Sequence, residues 1–243
     1  MAGPARHSFR AMDLIETLRT TPAVREFTDE PVGDDVVARV LDVARFAPNG
    51  GNRQAWRVIL VKDPVRREAL RDLYLPGWYD YLAMSHAGLT PWAPVTDRVA
   101  EAAARENAAE IEREMAGADH DEFARSLHRV PILLVLLADL RRLAAVDRDL
   151  DRYTLVGGAS IYPFAWSILL AARSLGLGGV MTTMAVQREA EVKGLFAVPD
   201  EFAVAGVLAL GHPVRHVTKL RRDPVSDFAT VDAFGGPPLD SPG

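Results

Sequence analysis

Between residues 34 and 47 the apolar side chains Val36, Val37, Val40, Leu41, Ala44 and Ala47 recur at three- and four-residue intervals. That is the period of one helix face, so the segment is predicted to be an amphipathic helix capped by Asp34 or Asp35 and stopped at Pro48. Three shorter runs read differently. Residues 56–61 (WRVILV), 132–138 (ILLVLLA) and 203–210 (AVAGVLAL) are mostly aliphatic and bounded by polar residues or proline, as strands covered on both faces are. The middle run fits a buried helix equally well. Residues 98–115, rich in Ala and Glu, and the strongly apolar residues 164–175 predict two further helices. Helices separated by buried strands define an α+β or α/β sandwich.

Residues 75–94 (LPGWYDYLAMSHAGLTPWAP) set Trp78, Tyr79, Tyr81 and Trp92 among Gly and Pro, which predicts a loop or short-helix excursion. Its rings form either a satellite hydrophobic cluster or a lid that stacks on a planar substrate or cofactor. Gly176, Gly178 and Gly179 follow the apolar helix, whereas a dinucleotide fingerprint sits between a strand and the helix it opens. A helix C-cap with a glycine at positive φ is the better reading. No repeat and no linker rich in Gly, Ser or Pro divides the chain. One domain is expected over residues 12–235, between a leader at 1–11 and a Gly/Pro-rich tail at 236–243.

Composition narrows what such a domain can do. A chain of 243 residues, 49% hydrophobic and 25% charged, has the material for a large core. A net charge of -5 lacks the concentrated positive field that nucleic acids and anionic membranes require. The absence of cysteine removes disulfides, thiolate metal sites, iron–sulfur clusters and cysteine nucleophiles, so redox chemistry here needs a borrowed cofactor. Asp13 and Glu16 interrupt any signal-peptide stretch, and the longest apolar runs fall short of the ~20 residues that cross a bilayer. A cytoplasmic location is expected. His7, His86, His120, His128, His212 and His216 show no paired-ligand spacing, and no serine-hydrolase elbow is present. All six are read as surface or satisfied core residues, with no metal site.

Two segments are chemically suggestive. In residues 46–56 (FAPNGGNRQAW) a helix stopped by Pro48 gives way to a small polar loop, where Asn49 and Asn52 carry amides and Gly50 and Gly51 permit close backbone approach. It is either a plain helix-to-strand turn or a ligand loop. Residues 219–222 (KLRR) are either a solvated patch or a phosphate clamp, since a guanidinium grips phosphate oxygens in bidentate fashion.

Taken with VREF at 24–27 before TDEPV, with ILLAARSLGLGGVM, and with VLALGHPV ahead of KLRR, the loop APNGGNRQAW resembles a segment of the FMN-dependent nitroreductase family. The likeness runs from about residue 12 to residue 235. It implies an α+β three-layer sandwich, a central mostly antiparallel sheet flanked by helices, in an intertwined homodimer that carries FMN at the interface. Under it, Arg25 matches the basic residue at the flavin pyrimidine edge, where a cation favours the reduced anionic ring. Lys219 and Arg221 match the residues that hold the FMN phosphate. Pro48, Asn49, Gly50, Asn52 and Gln54 match the loop that reaches the flavin bound mainly by the other subunit. Thr182 and Thr183 lie where a strand passes the ring near N5, largely through backbone groups. Substrate-specific lids fall in the region of residues 75–129, which makes Trp78, Tyr79, Tyr81 and Trp92 candidate substrate contacts.

The chain also departs from the family pattern. Where members carry Arg, then Arg or His, then Ser, it has Thr21-Pro22-Ala23, so one or two phosphate contacts are missing. The Thr21 hydroxyl, Arg19 and Arg222 are the candidates to replace them. Pro163 would kink the apolar helix unless that helix starts near Ser160, since Pro is tolerated in a first turn. The activity implied is ping-pong hydride transfer from NAD(P)H to flavin N5 and on to an electron-poor nitroaromatic, quinone or activated alkene, with no catalytic side chain. The alternatives are a branch specialised in flavin fragmentation, reductive dehalogenation or dehydrogenation of a heterocycle or peptide, and a non-catalytic flavin-binding protein.

Overall fold

The computed structural model describes residues 13–115 and 119–239; the leader expected at 1–11 and the tail residues 240–243 lie outside them. The chain opens with α1 (Leu14–Thr20), whose first amides, of Ile15 and Glu16, donate to the Asp13 carboxylate. Next come α2 (Asp34–Ala44), β1 (Trp56–Leu60) and α3 (Pro64–His86). Three short helices follow, α4 (Arg98–Arg105), α5 (Ala108–Met115) and α6 (Asp119–Ser126). Then β2 (Ile132–Asp139), α7 (Tyr162–Ser174), β3 (Gly178–Thr182), α8 (Glu189–Phe196) and β4 (Phe202–Gly211) complete the core.

The strands form one antiparallel sheet in the order β1-β2-β4-β3. Every residue of β2 is buried. Ile132, Leu134, Leu136 and Ala138 pack with side chains of α2 and α7, while Leu133, Val135 and Leu137 pack with those of α3, α6 and α8. The two-residue period of a strand thus divides a single aliphatic run between two helical layers. This is the expected α+β three-layer sandwich, and it makes residues 132–138 a strand. In β4 a bulge lets Leu136 pair with Gly206 and Leu137 with Val204, so Val204 and Val207 come to share one face.

Where the helices depart from expectation, tertiary packing or cap geometry is the cause. The N-cap of α2 is Gly33 in extended conformation, and Asp34 and Asp35 occupy the first turn, where their charge meets the positive helix end. Residues 98–115 are two helices, because the chain turns at Glu106 and Asn107, whose carbonyl receives the Glu110 and Ile111 amides. Pro163 stands in the first turn of α7 as anticipated. At the other end Gly176 adopts φ 81°. The Leu177 amide there donates to the Ala172 carbonyl and the Gly176 amide to that of Arg173, the paired bonds of a glycine C-cap.

Residues 75–86, expected as a loop or short-helix excursion, continue α3, which runs 23 residues through Pro76. Leu70, Tyr74, Gly77, Tyr79 and Leu82 bury its inner side, and that packing outweighs the single hydrogen bond Pro76 forgoes. Gly77 is where α3 touches the turn at Met184–Arg188: a Cβ there would lie 2.6 Å from the Met184 carbonyl oxygen. Gly77→Ala is therefore expected to force the two apart and cost about 1–3 kcal/mol. Urea denaturation of the two proteins measures this; coincident midpoints would mean that the contact yields freely.

Candidate active site

Residues 23–28 run along the β3 side of the sheet. The Val24 amide donates to the Gly179 carbonyl at 2.9 Å, the Thr28 amide to that of His212 at 2.8 Å, and the Val214 amide to that of Glu26 at 3.1 Å. These bonds hold Arg25, an exposed residue, beside β3. Its charge reaches the Tyr74 hydroxyl, which is hydrogen-bonded with the Thr182 side chain. Burial pushes the Tyr74 phenol above its ordinary range, and the Thr182 hydrogen bond and the Arg25 charge oppose that shift. Arg25 and Thr182, both expected from the sequence, thus both act on the Tyr74 hydroxyl. Tyr74 joins them although nothing in its sequence neighbourhood marked it. Thr183 is exposed, and its carbonyl accepts the Val186 amide, closing the turn that abuts Gly77.

The loop ahead of β1 is wound on itself. The Gln54 amide donates to Asn49 Oδ1 at 2.8 Å, Asn49 Nδ2 donates to the Ala47 carbonyl at 3.2 Å, and the Gly50 amide reaches Ser160 Oγ at 3.1 Å. Asn52 and Gln54 both adopt φ near +50°, a conformation L-residues occupy at a cost of roughly 1–2 kcal/mol each. The Asn49 amide is largely used within the loop, whereas Pro48, Gly50, Asn52 and Gln54 are exposed. In the sheet order β1-β2-β4-β3 this loop adjoins one edge strand and Arg25 and Thr182 the other. At ~4.8 Å per strand, about 14 Å of sheet separates the two groups within a single chain.

Lys219 and Arg221 lie exposed in the segment that follows β4. Of the three candidates for the contacts missing at 21–23, one has its only proton engaged. The Thr21 hydroxyl donates to the Thr17 carbonyl at 2.7 Å; a hydroxyl has one proton to give, so it is not the phosphate donor expected of it. Arg222 is exposed, and one of its five donors, on Nη1, meets the Arg221 carbonyl at 2.6 Å. Arg19 is exposed on α1.

Trp78, Tyr79 and Tyr81 of α3 cluster with residues of α5, and Trp92 approaches that cluster through Tyr81. The Trp78 and Tyr81 rings stack at 5.7 Å, and Tyr81 meets Trp92 at 6.4 Å. Trp78 Nε1 and the Tyr79 hydroxyl both donate to Asp121, a fully buried carboxylate that Arg125 also engages. That carboxylate and burial together hold the Tyr79 phenol up. Tyr79 is 3% exposed, so its ring and hydroxyl are committed to the interior, and the stacking role expected for it is unavailable in this arrangement. Trp78, Tyr81 and Trp92 remain half-buried.

Among the described residues no group of His, Asp and Glu is arranged to hold a metal ion, and no helix is long and apolar enough to cross a membrane. Several curated proteins resemble most of the chain. An FMN reductase [NAD(P)H] from Bacillus subtilis is 22% identical over 222 residues, 87% of this chain and 70% of that protein. A putative NADH dehydrogenase/NAD(P)H nitroreductase from Methanothermobacter thermautotrophicus is 24% identical over 207 residues, 84% of this chain and 80% of that one. In three dimensions the hypothetical oxidoreductase YcnD from Bacillus subtilis superimposes with a TM-score of 0.60 at 22% identity, covering 91% of this chain and 75% of its own. The sequence profile of the Nitroreductase family matches residues 18–212, most of the chain, and the protein belongs to that family.

Proposed function

We propose that this protein is an NAD(P)H-dependent FMN oxidoreductase that works as a homodimer, with one flavin in each of two equivalent sites between the subunits. One observation carries the reading. The loop at 48–54 and the Arg25–Thr182 pair, all assigned by the family likeness to a single flavin, sit at opposite edges of one chain's sheet. A two-fold axis relating two copies lets the loop of one meet the β3 edge of the other, twice over. Exposed Leu14 and Ile15 on α1, Phe46 after α2 and Trp166 on α7 supply apolar surface for such a partner. The names of the Bacillus and Methanothermobacter relatives support the donor and the cofactor.

The residues present suit FMN: a cation beside a strand edge, backbone groups of β3, a polar loop and a run of basic residues. When bound, FMN supplies two-electron hydride chemistry. The chain's part is to bind and orient. Arg25 sets a positive charge where reduction adds electrons, Lys219 and Arg221 hold the phosphate, and Tyr74 with Thr182 fixes the strand edge from behind. Residues 12–235 act as one domain, with residues 75–129 as its lid-like insertion. The substrate is an electron-poor nitroaromatic, quinone or activated alkene that follows NAD(P)H into the same place, and the reaction belongs in the cytoplasm. Purified protein should be yellow, contain one FMN per chain, bleach with NADH or NADPH and regain its colour with a nitroaromatic or quinone. A colourless monomer that refuses FMN would dispose of the proposal.

A further inference from the structure

Next to the segment that lacks the family's phosphate contacts, a shallow pocket open to solvent, enclosing about 10 Å³, is lined by Thr21, Pro22, Arg173, Gly178, Gly179 and His216, among others. Arg173 is in the last turn of α7. Its Nη1 lies 2.7 Å from His216 Nδ1, its Nη2 donates to Thr20 Oγ1 at 3.4 Å, and its Nε is buried with no partner among the described residues. A guanidinium can only donate, so Nδ1 is the acceptor and the imidazole proton resides on Nε2. Neither neighbour is a counter-ion. The other arginine of the pocket, Arg215, is engaged by Glu26 at 3.3 Å. Thr20 and Thr21 pass their hydroxyl protons to the Glu16 and Thr17 carbonyls. Among the described residues no carboxylate lines the pocket. A partly buried cation with an idle N–H and no acid beside it favours an anion, because burying an uncompensated charge is unfavourable.

We propose that Arg173 is the phosphate anchor that replaces the basic and hydroxyl side chains missing at 21–23: it grips the phosphate monoester of the flavin nucleotide at the mouth of this pocket, together with Lys219 and Arg221. The inference rests on the flavin reading above and adds to it a residue from α7. It adds a third arginine to Arg19 and Arg222, the two that the sequence offered for the lost charge.

The test compares FMN with riboflavin, which lacks the phosphate, on apo wild type and on Arg173→Gln by fluorescence titration. Arg173→Gln should weaken FMN about 10- to 100-fold and leave riboflavin unchanged, the size of a charged hydrogen-bonded contact. Equal losses for both flavins would mean a merely structural role, and undiminished FMN affinity would mean no role; either overturns the proposal. Arg173→Lys keeps the charge without the fork, should fall between the two, and carries the test should the glutamine variant fail to fold. Inorganic phosphate should raise the thermal midpoint of the apo wild type and not that of Arg173→Gln. If the wild type takes neither flavin, the flavin reading fails by itself. The phosphate arm then decides whether Arg173 makes an anion site, and no stabilisation by phosphate would remove it.

Discussion

Replacing Lys219 and Arg221 together with alanine should weaken FMN binding about 100- to 1000-fold. Each contact from a cationic side chain to a phosphate contributes ~1.5–3 kcal/mol, and two that share one phosphate sum to somewhat less than twice that. The apo fold should hardly change, because both residues are exposed beyond the end of β4. Equilibrium dialysis of flavin against the variant, alongside a urea denaturation curve of its apo form, separates the two effects. A loss under about three-fold would show that the basic run is solvated surface, the plainer of its two readings.

Truncating Leu134 to alanine is expected to cost ~3–5 kcal/mol, the upper end for a buried leucine. Leu134 is fully buried and stands in register between Leu60 of β1 and Leu208 of β4. The strands on either side and the helix layer above are mutually braced, so the space left by the side chain cannot collapse. Against a total stability of roughly 5–15 kcal/mol, that loss should leave the variant barely folded at physiological temperature. Thermal and urea denaturation followed by circular dichroism measure it, and a loss below about 1 kcal/mol would contradict the placement of β2 between two helical layers.

Much of this architecture was legible along the chain because its cause is local. The apolar spacing of residues 34–47 specifies a helix face wherever the segment lies, and the run at 132–138 is too uniformly aliphatic to sit anywhere but inside. Gly176 caps α7 because the helix must end in a left-handed residue there. The ends of elements were less legible. Gly33 rather than Asp34 or Asp35 caps α2, and α3 persists through Pro76, since both outcomes depend on what lies against the helix. β3 carried no strand signal of its own: Gly178 and Gly179 have low strand propensity, and pairing with β4 imposes the conformation.

The site divides in the same way. Arg25, Thr182 and the loop at 48–54 could be named in advance because short motifs carry them, and the family's order of motifs supplied their roles. Tyr74 and Arg173 could not. Tyr74 reaches Thr182 only because α3 is one long helix packed across the sheet, and Arg173 meets Thr20 and His216 across separations of 153 and 43 residues. Local spacing encodes which side chains share a face and where a helix must stop. Which distant side chains share a pocket is decided by how those faces stack, and that depends on the whole core at once.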